Sequence, residues 1–470
     1  MPLINVIPGD KIPTAPLNVR LPMWRIPWWL LVPYWLARGL LRLTVFVIRY
    51  WWATGPAALI LWIWANHGWH TLVTALAALL VVCVAWWRLH PVTWLRFGWY
   101  PTMARLRRVW VYQRRWPSAM ATCGLAVVFH GDRYIPRLGR VRVDRWGDEV
   151  TVRLLPGQIP DDWAAAAPRL AYTFRVRDGR ARSTVKPDRV VLRFLRKDPL
   201  AALVGPLPVP STPDLTALAL GVREDGEVYR LRLAGSHVLI AGATNAGKGS
   251  VIWSLIRSLA GGIRSGLVEL WVFDPKGGME LAAGLPLFAR FAYDDPDSMA
   301  GVLEDAVKRM RQRAARLRGV ARQHTPTVGD PLIVILVDEL AALTAYITDR
   351  KVKERIREAF SLLLSQGRAV SVHVVAALQD PRKEVLPFRD LFPTRIGLRL
   401  TEDDQVDLVL GDGARDRGAL CDQIPETAPG IGFVTLDGVR EPLRVRFSYL
   451  TDNDITHLTR HYARTGGEHA

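Results

Sequence analysis

The sequence predicts an α/β protein built on a mostly parallel sheet, preceded by a small α+β module and by an N-terminal apolar helical hairpin. Three observations carry this: a long uncharged stretch early in the chain, a middle segment with period-two alternation, and a C-terminal half in which continuous apolar runs alternate with helical periodicity. At 470 residues the chain exceeds one compact core. The expected order is a basic, Trp-rich interfacial segment (1–50), two membrane helices (51–87), a basic connector (88–120), an α+β domain (121–200), a large α/β domain (215–450) and a short tail (451–470).

The first element rests on hydropathy. From Trp51 to Trp87 the chain runs 37 residues without Asp, Glu, Lys or Arg, more than one helix needs to cross a core of about 30 Å. Asn66-His67-Gly68 is a turn signal inside it, so it reads as spans at 51–66 and 69–87. Arginines flank both sides, from Arg20 to Arg49 and from Arg88 to Arg115, which predicts that both ends and the large domain are cytoplasmic at the plasma (inner) membrane. Fifteen of the 19 tryptophans precede residue 117, as expected for rings at headgroup level. Pro27, Pro33, Arg38, Arg42 and Arg49 make 24–50 an interfacial amphipathic helix rather than a third span.

Charge is informative mainly through its distribution. The net +18 comes largely from residues 1–120, with 13 basic residues against one acid; the rest holds 49 against 43. Bulk charge is therefore weak support for nucleic-acid binding. Cys83, Cys123 and Cys421 form no CxxC pair and the ten histidines show no ligand spacing, so neither a disulfide framework nor a zinc site is expected.

The middle segment alternates in VRVDRWGDEVTVRLL (141–155) and RVVLRFL (189–195), with a helix between them started by Asp161 or Asp162. Beyond residue 215 the strand candidates are 237–242, 267–273, 332–339, 372–378 and 394–400, and the clearest helices are 297–319 and 352–366. Continuous apolar strands separated by helices indicate a sheet covered on both faces. Such sheets bind ligands at the carboxyl ends of their strands.

One loop lies there. GATNAGKGS comprises Gly242, Ala243, Thr244, Asn245, Ala246, Gly247, Lys248, Gly249 and Ser250, between a buried strand and a helix. Its glycines let successive N–H groups face a phosphate, the helix N-terminus adds its dipole, and Lys248 reaches the β and γ phosphates of ATP. Ninety residues later LIVILVDEL ends an apolar strand in Asp338, suited to hold Mg²⁺, and Glu339, suited to polarise the attacking water.

With SHVLIAGATNAGKGS (236–250), VFDPKGGMEL (272–281), VILVDELAAL (334–343), QGRAVSVHVVAALQDP (366–381), FPTRIGLRL (392–400) and then GDGARDRGAL and PGIGFV (411–434) in this order, the chain resembles the FtsK/SpoIIIE DNA translocases. The GKGS loop and Trp-rich double span look most like the plasmid-transfer (Tra-type) proteins of actinobacteria. The resemblance implies a RecA-like P-loop NTPase motor, a homo-hexameric ring that translocates double-stranded DNA through phosphate contacts, in conjugative transfer. It also implies a γ-phosphate sensor at Gln379 and an arginine finger, entering the neighbouring subunit's site, at Arg395 or, second, Arg368.

Two departures stand out. Gly249 lacks the hydroxyl that ordinarily reaches the metal, and Ser250 lies about 100° further round the helix. Either Ser250 substitutes through a shifted first turn, or Asp338 and water hold Mg²⁺. Family members that choose DNA sequences append a winged-helix domain where about 23 residues follow Phe447, so base-specific recognition is not expected. A type VII-like protein-secretion ATPase and a nucleotide-binding scaffold without hydrolysis are the alternatives.

Overall fold

The computed structural model describes residues 28–129, 132–184, 186–382, 388–436, 438–439 and 441–464. The chain divides into two compact units, Met1–Tyr100 and Pro101–Ala470. Part of the expected interfacial segment, residues 1–27, lies outside the described residues.

In the first unit a helix runs from Trp28 to Arg49 with Pro33 inside it. The apolar stretch that follows is one assigned helix, Trp51–Leu89, and the only helix among the described residues long and apolar enough to cross a membrane. Two separate spans, and with them a multi-pass topology, are not shown by this one helix. The turn signal nevertheless has a counterpart: Gly68, at φ 76 and ψ 173, is the residue with non-helical dihedrals inside the helix. Only glycine adopts that backbone cheaply. None of the helix's residues is buried, and Trp62, Trp64 and Trp69 are each more than half exposed, unlike a core helix of a soluble protein.

The second unit begins with helical turns through Thr122, a short hairpin of β1 (Val127–Phe129) and β2 (Asp132–Tyr134), and an antiparallel four-stranded sheet. That sheet contains β3 (Arg137–Val143), β4 (Gly147–Arg153), β5 (Asp178–Ser183) and β6 (Arg189–Leu195) in the order β3-β4-β6-β5. Helix Pro160–Phe174 covers it, burying Trp163, Leu170 and Phe174 against Val150, Val152, Leu192 and Phe194. The helix starts one residue before the expected Asp161, at Pro160. Proline fits the first turn because its missing N–H is not needed there, and Asp162 caps from the third position by accepting the Ile159 N–H at 2.9 Å. Buried Asp148 accepts hydrogen bonds from Arg107, Tyr112 (2.7 Å) and Arg196 (2.8 Å), tying the preceding helix to this sheet.

The module is docked on the large domain through specific pairs. Arg180 reaches Glu224 at 2.7 Å, Arg444 meets Asp198 at 3.0 Å, and Trp146 fills the space beside Gly226, where a Cβ would come within 2.2 Å of the indole nitrogen.

The large domain is one ten-stranded sheet. Its strands are β7 (Leu218–Arg223), β8 (Val228–Leu231), β9 (Val238–Ala241), β10 (Val268–Phe273), β11 (Arg290–Ala292), β12 (Leu332–Val337), β13 (Val372–Leu378), β14 (Thr394–Gly397), β15 (Ile431–Leu436) and β16 (Leu443–Phe447). The order is β11-β10-β12-β13-β9-β14-β15-β16-β7-β8. The six strands from β11 to β14 are parallel, and the remaining four add on antiparallel. The parallel strands read as unbroken apolar runs because both faces are covered. Helices Pro296–Leu317 and Arg350–Gln366 pack on one face; Lys248–Arg264 packs on the other. The expected tail is in part a helix, Asp452–Tyr462, capped by Thr451 and Asp454 and burying Leu458 against Lys248–Arg264.

Candidate functional site

The four residues of β9 are all buried and end at a loop whose backbone is clamped from both neighbouring strands. Gly242 N–H donates to Leu378 O at 3.2 Å on the β13 side, and Ala243 N–H to Arg399 O at 2.8 Å beyond β14. Asn245 (φ 60) and Gly247 (φ 97) turn the chain back into the helix that starts at Lys248. Gly247 has a second reason to be glycine: a Cβ there would lie 2.3 Å from the Gly430 nitrogen. Gly430 N–H in turn donates to Ala246 O at 2.9 Å, so the turn into β15 braces the loop.

No side chain caps the helix start, which leaves its first N–H groups directed at the space above the loop. Lys248 bends back over the loop, donating to Gly242 O at 2.8 Å and Ala243 O at 3.3 Å. Burial pushes its ammonium below the usual lysine range, against the pull of Glu339 and Asp338.

The acids arrive from β12, two strands away. Its six residues are fully buried, and Asp338 N–H continues the ladder to Phe273 O at 3.0 Å. Asp338 and Glu339 are only 5% and 6% exposed. Burial raises the Glu339 carboxyl above its ordinary value, opposed by the Gln379 N–H and by the charges of Lys276 and Lys248. Gln379 bridges the two halves: its N–H donates to Glu339 Oε1 at 3.3 Å, and its Oε1 accepts from Thr244 Oγ1 at 3.2 Å. Lys248, Asp338, Glu339 and Gln379 thus meet around one loop, from three adjacent parallel strands.

Arg395 does not join them. It pairs with Leu239 near the start of β14, toward the end of the sheet away from the loop, and donates to Phe392 O at 3.0 Å. There it lines a cleft of about 360 Å³ together with Arg368 and Arg417. The arginine beside the loop is Arg399, which donates to Thr244 O at 2.8 Å and lies 3.3 Å from Glu426.

Gly249 is exposed, and an added Cβ would meet no atom within 4 Å. Space does not explain its missing side chain. Ser250 is half-buried, with Oγ on the Gly430 side, 3.6 Å from where a Cβ of that glycine would sit.

Sequence reasoning missed one participant. Lys276, in the loop after β10, places Nζ 2.9 Å from Asp338 Oδ2. It lay inside the quoted VFDPKGGMEL block, but nothing in local spacing connects it to an acid 62 residues on. Lys276 thus supplies the counter-charge of a carboxylate that is 5% exposed.

Residues 83–196 match the actinomycete conjugal transfer protein N-terminal domain, and residues 215–325 match the FtsK/SpoIIIE family. The transfer protein TraSA of Streptomyces ambofaciens is 30% identical over 387 residues, covering 74% of this chain and 91% of that protein. The DNA translocase FtsK of Tropheryma whipplei is 26% identical over 267 residues, covering 52% of this chain but 34% of its own length. Among solved structures, the pCW3 conjugation coupling protein TcpA superposes with a TM-score of 0.48 at 17% identity, over 74% of this chain and 98% of that one. The cytoplasmic domain of the Thermomonospora curvata type VII secretion ATPase EccC gives 0.44 at 21% identity, over 57% and 33%. The chain therefore belongs to the FtsK/SpoIIIE family and, within it, to the TraSA-type transfer proteins of actinomycetes.

Proposed function

We propose that this chain is a membrane-anchored ATPase that drives double-stranded DNA through a ring of identical subunits during conjugal transfer of a plasmid or integrative element. The observation that carries the reading is the convergence of Lys248, Glu339, Asp338 and Gln379 on the loop at the carboxyl end of the parallel sheet.

The chemistry follows from these groups. Loop N–H groups and the helix N-terminus bind the phosphates, and Lys248 leaves the Gly242 and Ala243 carbonyls for the β and γ oxygens. Glu339, with its raised affinity for a proton, accepts one from the attacking water. Gln379, bonded to both Glu339 and Thr244, transmits the state of the γ-phosphate between acid and loop. Asp338 and Ser250 are the protein oxygens available to Mg²⁺, which when bound neutralises phosphate charge. Because Ser250 Oγ faces Gly430, we assign the main share to Asp338 and water.

Arg395, remote from its own loop, fits a finger acting on the neighbouring subunit's nucleotide in a hexamer. DNA is held through its phosphates, with strong salt dependence. The Gly68 break serves as the turn of a membrane hairpin, with both flanks and the motor on the cytoplasmic side.

The test uses the full chain in lipid nanodiscs. Duplex DNA is expected to stimulate ATP hydrolysis, less so as salt rises, and Glu339→Gln should bind ATP while losing at least about a hundredfold in rate. ATP binding without any stimulation by DNA would overturn the translocase reading.

A further inference from the structure

Lys276 sits where a metal-holding acid needs its counter-charge, yet it belongs to a different strand and a different loop. Its backbone is fixed: Lys276 N–H donates to Asp274 Oδ1 at 3.3 Å, while Glu280 and Leu281 N–H both donate to Asp274 Oδ2 at 3.0 Å. Asp274 itself is fully buried at the end of β10. One carboxylate therefore staples both ends of the 275–281 loop. Between the staples Gly277 (φ 73) and Gly278 (φ 78) supply a bend open only to glycine, and Met279 stands 87% exposed at the tip. The lysine side chain is one-third exposed, whereas its partner Asp338 is 7% exposed. The lysine is the more exposed partner of the pair.

We propose that Lys276 is a positioning residue: it holds Asp338 while the site lacks nucleotide, magnesium–ATP displaces it, and the displacement is passed to the 275–281 loop, whose backbone stays stapled by Asp274. The inference rests on the reading that Asp338 faces the metal. The physical reason is competition. An ammonium and a divalent cation repel, and both draw on a single carboxylate in a partly buried site where charge is poorly screened. The incoming triphosphate offers the displaced ammonium new acceptors, so its flexible four-carbon stem has only to swing across the site.

Amine-reactive footprinting of the full chain, read by mass spectrometry, tests this with ATPγS present with magnesium, with ATPγS plus chelator, and without nucleotide. The proposal expects Lys248 to be protected by nucleotide in both conditions, and Lys276 reactivity to change by about threefold or more only when magnesium is present. Hydrogen exchange at 275–281 should change in the same condition. Lys276→Met should lower the magnesium concentration that half-saturates binding of a fluorescent ATP analogue roughly three- to tenfold, with Lys276→Arg restoring it toward the wild-type value. Protection of Lys248 with no change at Lys276 or its loop overturns the proposal while leaving the ATPase reading intact. Protection of neither lysine overturns both. Should Lys276→Met fail to fold, footprinting of the unmodified chain decides alone.

Discussion

The two ends of the large sheet both bury charge and treat it in opposite ways. At the carboxyl end, Lys248 spends its donors on loop carbonyls and Lys276 is borrowed by Asp338, contacts that a nucleotide and metal can replace. At the amino end, Arg313 is almost wholly buried and saturated: it donates to Asp330 at 2.7 Å, to Val370 O and Ser371 O at 3.1 and 3.2 Å, and to Pro331 O. It pins helix Pro296–Leu317 to the starts of β12 and β13. At the same end of the sheet His237 and His373 are pushed down by burial to about 3 and about 4, and the Val374 N–H donates to His237 Nδ1 at 2.9 Å. One end has exchangeable partners; at the other Arg313's partners form a closed set, while His237 Nε2 and His373 Nδ1 are buried without a hydrogen-bond partner. Burial alone therefore does not identify a site; the replaceability of each charge's partners does.

The comparison breaks most visibly at Arg313. Arg313→Ala should cost about 3 kcal/mol in chemical denaturation, because it strands buried carbonyls and part of Asp330's compensation, while ATP affinity at low temperature stays near wild type. A loss below about 1 kcal/mol would mean that the amino end is no more closed than the site. Gly247→Ala should come next, about 1–3 kcal/mol with nucleotide binding lost, since the new Cβ meets Gly430 and the backbone is left-handed.

The histidine pair gives a smaller, pH-dependent effect. Their folded proton affinities lie below the unfolded value of about 6.5, so the stabilisation is complete above that pH and drains as pH falls toward 4. His237→Asn should flatten the pH slope of stability in that window by about 1.4 kcal/mol per unit; an unchanged slope would show that the ring is protonated or exposed when folded. The smallest effect belongs to Gly249→Ser. Open space around Gly249 predicts a stability change within about 0.5 kcal/mol and undiminished hydrolysis.

Much of this was readable from residue order because its determinants are local. Four buried residues, a glycine-rich turn and a helix are contiguous in β9 and the loop, and Asp338-Glu339 ends an unbroken apolar run. What escaped is long-range or carries a misleading local pattern. The Lys276–Asp338 pair and the Gly430 brace join segments brought together only by the sheet order. β7, β8 and β16 escaped because each carries arginine within a short run, and β15 because Gly432 interrupts its apolar pattern; Arg446 in β16 is buried, donating to the Leu200 and Ala201 carbonyls. The turn signal at 66–68 was legible, and the structure places the break at one residue, Gly68, where two helical segments meet across a kink.

The most direct test of the central claim is displacement of a triplex-forming third strand from duplex DNA by the full chain in nanodiscs. ATP-dependent displacement by the wild type, absent with Glu339→Gln, is the predicted result. Robust ATP hydrolysis in the presence of duplex DNA with no strand displacement would contradict it.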